Sequence, residues 1–133
     1  MYVLLILYLA SDLAAIKLEP NLERRSELAL GNASSAMEVA RDAATDEAKL
    51  KPALQELRDS VDLAYQSLVD SGKSARRNPK FFKKAELKTR ELMRRLEGLA
   101  QAVDADDRVF VESVRERVSK VHDDLIQDIM QKK

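Results

Sequence analysis

Cysteine and tryptophan are missing from this chain, histidine occurs once, and glycine and proline number three each in 133 residues. Without cysteine there is no disulfide, no thiol nucleophile, no thiolate-held zinc or iron–sulfur cluster, and no sulfur for a lipid anchor. A lone histidine, His122, leaves little for proton-shuttle or nucleophilic chemistry. So few chain breakers argue against a sandwich or barrel of many short strands. Aromatics are sparse too, with three Tyr and three Phe. Residues 2–10 form an apolar run of nine residues, far short of the roughly 20 that a helix needs to cross a bilayer.

What remains is 45% apolar and 35% charged, rich in Ala, Leu, Glu, Lys and Arg. That is the composition of long helices, and the length suits a single domain. The apolar opening, ending at Ser11 and Asp12, has the size of a signal-peptide core. No Lys or Arg precedes it, and bulky Tyr8 or Leu13 falls three positions before the two candidate cleavage sites. We therefore expect residues 1–15 to be a signal peptide or an apolar N-terminal segment, with residues 16–133 as one helical-bundle domain. The expected location is exported, periplasmic or extracellular, with a cytoplasmic protein as the alternative, and the protein is not expected to be transmembrane.

Four segments carry helical periodicity. The first, about Pro20 to Ala44, places Ala29, Ala33, Ala36, Ala40 and Ala43 on one stripe, with Pro20 in the first turn. The second, about Leu50 to Asp70, has the stripe Leu50, Leu54, Leu57, Val61, Ala64 and Leu68, widened by Tyr65. Pro52 falls in its first turn, and Gly72 suits a left-handed C-terminal cap. The third, about Pro79 to Val103, repeats Phe82, Ala85, Thr89, Leu92, Leu96, Leu99 and Val103, with Asn78 as its cap. The fourth, about Asp106 to Met130, repeats Phe110, Val114, Val118, Val121, Leu125 and Ile129. The stripe keeps phase across residues 103–110, so one continuous helix is conceivable. Two aspartates at the seam favour a break, since a continuous helix would bury them unpaired. Equal lengths and short joints predict an all-α fold: an up-and-down antiparallel bundle of four long helices, with room for a short helix over residues 11–18.

Charge sums to zero but is unevenly spread. Residues 1–72 carry 7 basic and 12 acidic side chains, residues 73–95 carry 10 and 2, and residues 96–133 carry 6 and 9. A basic block thus lies between acidic flanks. It can be neutralised by acidic neighbours within the fold, or it can serve a polyanion. On a helical projection Lys80, Lys83, Arg90 and Arg94 lie opposite the apolar stripe, while Lys84, Lys88 and Arg95 lie on a flank. The candidate polyanion contacts are Arg76, Arg77, Lys80, Lys83, Arg90 and Arg94. Phe81 and Phe82 fall on the apolar side, so they are expected in the core rather than stacked on bases. Leu87 falls outward.

Other motifs dissolve on inspection. Gly72-Lys73-Ser74 resembles the end of a phosphate-binding loop, but Ser67 stands where that loop needs glycine, and a helix precedes it. His122-Asp123-Asp124 puts adjacent residues in different directions on a helix, and the helix offers no second ligand at Val118, Ser119, Leu125 or Ile126. Asp104-Ala105-Asp106-Asp107 lacks the glycine and glutamate that a calcium loop requires further on and reads as helix capping. No catalytic, cofactor-binding or metal site is therefore expected, no cofactor, and no small-molecule substrate.

Over AIKLEPNLERRSELAL (residues 15–30), ARRNPKFFKKAELKTRELMRRLEGL (residues 75–99) and the ending VHDDLIQDIM, the chain resembles small exported helical-domain proteins of bacteria, a family of unknown function. The resemblance implies a helical fold and export, and no activity. The expected role is non-enzymatic: an interaction or scaffold domain with an unidentified protein partner. The alternative is a polyanion-binding protein (nucleic acid, acidic lipid or cell-wall polymer) that uses the third helix.

Overall fold

The structure, a computed structural model, describes residues 12–131. The apolar opening, and with it most of the expected signal segment, lies outside that range. Among the described residues the fold is all-α, without strands. A helical stretch over residues 12–17, α1, precedes four long helices. These are α2 (Leu22–Asp42), α3 (Glu47–Asp70), α4 (Pro79–Ala102) and α5 (Ala105–Met130). The four long helices are those the periodicity demands, and α1 brings the number of helices among the described residues to five.

The helix ends differ from expectation in instructive ways. Asn21 caps α2, its Oδ1 accepting from the Arg24 amide at 3.0 Å, so Pro20 stands before the helix rather than in its first turn. Helix α3 begins at Glu47, which puts Pro52 inside it. Pro52 lies past the four free N–H groups of the helix start, so its missing N–H costs one bond of the helical ladder. At the other end Gly72 takes a φ of +72°, the left-handed conformation that glycine enters without a Cβ penalty. Asn78 and Asp104 occupy the N-cap positions of α4 and α5, but neither side chain closes a capping hydrogen bond. The Asn78 amide turns instead toward Glu23 of α2, at 3.4 Å.

Helices α4 and α5 are separate, the chain running extended through Val103 and Asp104. Arg108 closes the joint by donating from Nε to the Ala100 carbonyl at 2.8 Å, one of the last-turn acceptors of α4. Asp107 is still largely buried, but it sits in the first turn of α5, where the helix dipole favours negative charge.

Successive helices reverse direction, as short joints require. Asn32 of α2 meets Glu56 and Ser60 of α3, and Glu86 of α4 meets His122 of α5. The two hairpins then stack side by side with like helices parallel. Glu27 pairs with Lys84, and Glu38 with Arg95, both 57 residues apart in sequence. Residue numbers therefore rise together along α2 and α4. The same holds for α3 and α5, through Asp62–Arg117 and Tyr65–Asp128. Each long helix thus packs side by side with one antiparallel and one parallel neighbour, and α3 and α4 also touch across the diagonal.

The stripes of α2, α3 and α4 are buried at every expected position. Each fully buried Leu or Val contributes about 1.5–3 kcal/mol of transfer free energy. The alanines of α2 let its neighbours approach closely. The stripe of α5 shifts by one residue at its start: Val111 is fully buried and Phe110 half-buried. At the end of α5, Ile129 is 40% exposed, because the last turn runs past the core. Leu13 is buried, and Ile16 packs against the same core.

Candidate functional site

The ten basic residues of positions 73–95 fall into three sets. One set faces α2 or lies along the flank of α4 and is neutralised. Lys73 Nζ reaches Glu23 Oε1 at 2.8 Å, Lys84 Nζ reaches Glu27 Oε2 at 2.5 Å, and Arg95 pairs with Glu38. Lys88 lies 3.6 Å from Glu91 one turn on. The hydrogen bond from Lys73 holds the Glu23 carboxyl below its ordinary range, and that from Arg95 does the same for Glu38. Internal complementarity therefore accounts for these four cations.

Arg90 is a separate case. Glu86 lies on α4 with only 5% of its surface exposed. The Arg90 guanidinium grips it with two bonds, Nε to Oε2 at 2.9 Å and a terminal nitrogen to Oε1 at 2.7 Å. His122 Nε2 meets the same Oε2 at 2.8 Å from α5. Burial pushes the Glu86 carboxyl up. The hydrogen bonds from His122 and Arg90, with their charges, outweigh burial and leave it below the usual carboxylate range. His122 is thus not a bare flank residue. It joins a part-buried ionic cluster whose buried carboxylate comes from the neighbouring helix.

The remaining five, Arg76, Arg77, Lys80, Lys83 and Arg94, are exposed and have no ion pair or side-chain hydrogen bond among the described residues. Lys80 alone makes a specific contact, its ammonium 5.5 Å from the centre of the Phe81 ring. Of the six expected polyanion contacts, then, five point outward unneutralised and Arg90 is tied to Glu86. Phe82 is buried and Phe81 half-buried against the core, as expected, so neither offers a free face for base stacking. Leu87 is 50% exposed among these cations.

The Gly72-Lys73-Ser74 segment forms the joint between α3 and α4, where Ser74 Oγ accepts from the Arg77 amide at 3.3 Å. No amide cradle for phosphate forms, because the preceding residues complete a helix. Among the described residues, no group of three His, Asp or Glu side chains could hold a metal ion. Asp124 is paired with Lys120, and Asp128 accepts a hydrogen bond from the Tyr65 hydroxyl at 2.8 Å. Burial, then that carboxylate, push the tyrosine hydroxyl far above its ordinary range. No described helix is long and apolar enough to cross a membrane.

A scan against protein-family models found no match, and a search of curated proteins found no similar sequence.

Proposed function

We propose that the chain is a non-enzymatic binding domain that works by contact, and that its contact surface is the cationic outer side of α4 and the joint before it, directed at an anionic partner. One observation carries this reading: five of ten clustered cations have no counter-charge among the described residues, although the same stretch spends other cations on nearby carboxylates. A cation with no internal acid competing for it keeps its full attraction for a partner's anion, and a surface of such cations raises the local concentration of anionic partners. The resemblance over residues 15–30 and 75–99, with the apolar run at residues 2–10, supports export as part of the same proposal.

Salt titration tests the binding. Affinity for heparin or a nucleic acid falls steeply as salt rises, with a logarithmic slope near −0.9 per phosphate neutralised on duplex DNA. Reversal of charge at Lys80, Lys83 and Arg94 together abolishes that slope. A slope unchanged by the triple reversal rejects the reading. Fractionation and N-terminal sequencing of the cellular protein test export; an intact Met1 in the cytoplasm contradicts it.

A scaffold that docks a protein rather than a polyanion is the second reading. Leu87 favours it, since a half-exposed leucine between Lys83 and Arg90 suits a mixed apolar and charged interface. Leu87→Ser separates the two: it weakens a protein contact and leaves heparin affinity as it was.

A further inference from the structure

The two ends of the bundle differ in their surface chemistry. One end gathers the start of α2, the end of α3, the start of α4 and the end of α5. The exposed large apolar side chains concentrate there: Leu18 just before α2, Val69 in the last turn of α3, and Ile129 and Met130 in the last turn of α5. Leu18 and Met130 are more than two-thirds exposed. The opposite end presents only Val109 among the described residues. The apolar end is also the cationic one, because Arg76 and Arg77 lie in its α3–α4 joint and Lys80 and Lys83 in the first turns of α4. Val69 and Arg76 line one open groove of about 440 Å³ together with Tyr65, Lys73, Asp128 and Gln131, so at least this apolar side chain and this cation share a surface.

The acids of these helix ends offset part of the cationic charge, since Asp70 and Asp128 accept from neutral donors and keep their own charge, but none pairs with the outward cations. Glu23 is held by Lys73, Asp128 accepts from Tyr65, and Asp70 accepts from Gln66 at 2.8 Å. Each is engaged by a residue other than Arg76, Arg77, Lys80 or Lys83.

Resting on the anionic-partner reading above, we infer that this end of the bundle docks on the surface of an anionic lipid bilayer. The cations meet headgroup phosphates, and Leu18, Val69 and Met130 enter the boundary between headgroups and acyl chains. Nucleic acid and soluble polysaccharide offer charge but no apolar layer, and they give no role to three exposed aliphatic side chains beside the cations. A bilayer supplies both at once, and cations near an anionic leaflet add to apolar insertion.

Co-sedimentation of the full chain with vesicles tests this. One set holds equal parts phosphatidylglycerol and phosphatidylcholine, and the other phosphatidylcholine alone. The native chain is expected on the mixed vesicles, and far less on the neutral ones. Lys80→Ala with Lys83→Ala lowers affinity for the mixed vesicles about thirtyfold, at roughly fivefold per cation near the surface. Val69→Ser with Met130→Ser lowers vesicle affinity about tenfold, because an apolar group no longer leaves water, and leaves heparin affinity unchanged. These four side chains are exposed, so their replacement leaves the core intact, which helicity by circular dichroism checks. Binding to heparin or nucleic acid, with vesicle binding indifferent to Val69 and Met130, overturns the bilayer inference and keeps the anionic-partner reading. Binding to neither vesicles nor heparin overturns both.

Discussion

The two hairpins solve one problem in two ways. Each buries a polar link between antiparallel helices. In α2–α3 it is neutral at its centre: the Asn32 amide donates to the buried Ser60 hydroxyl at 2.9 Å and, at its half-exposed edge, to Glu56 at 2.8 Å. In α4–α5 it is ionic: Glu86 between Arg90 and His122. The apolar stripes differ in the same sense. In the first hairpin α2 presents mostly alanines to the leucines of α3, whereas in the second both α4 and α5 present large residues, leucines and valines. A face of small residues is sensitive to added bulk, while a face of large ones is sensitive to lost bulk. The ionic link is also sensitive to pH, and the amide is not.

Exchanging bulk breaks this contrast most forcefully. Leu96→Ala, at a fully buried position, is expected to cost about 3–4 kcal/mol in urea unfolding. Ala36→Leu should cost roughly 2–3 kcal/mol by overpacking; a neutral or stabilising result would show that the α2 seam has slack. Glu86→Ala follows, with a loss of about 2 kcal/mol, since His122 and Arg90 lose their shared acceptor. Asn32→Ala should cost about 1 kcal/mol, as Ser60 keeps no donor across the seam.

The pH dependence sharpens the same comparison. The folded protein holds Glu86 below its ordinary value of 4.5. Its contribution is therefore present above that value and is lost as pH falls through the depressed one. Glu86→Gln should flatten the acid limb of stability, and Asn32→Ala should leave the limb's shape intact. The smallest effect expected is for Lys84→Ala, within about 0.5 kcal/mol, because the pair with Glu27 is solvent-exposed.

Much of the bundle is legible in the sequence. Three stripes are buried at every expected position because uninterrupted +3/+4 spacing leaves a helix one face to hide. The stripe of α5 was harder to read. Phe110 and Val111 are both apolar neighbours, and only the packing of α5 on its partners decides that Val111 goes inward. The outward cations were legible for the same reason as the stripes: they lie opposite the apolar face. The locking of Arg90 was not, since Glu86 lies on that same helix and becomes buried only when α5 brings His122 against it. Spacing within a helix constrains its own faces but says nothing of the register of another helix. The parallel stacking of the hairpins was hidden for that reason too.

The acid–base contacts between α2 and α4 repeat at a fixed interval. Glu27 and Glu38 stand eleven residues apart, as do Lys84 and Arg95. Eleven residues make just over three whole turns, so both pairs emerge along one line on each rod. Sliding α4 one turn toward the start of α2 would leave Arg95 facing Ser34, and one turn the other way would leave Lys84 facing Gly31. The spacing acts as a vernier: although each contact is weak, only one alignment within a turn either way satisfies both, and that alignment fixes how far the arginines and lysines before α4 project past the start of α2.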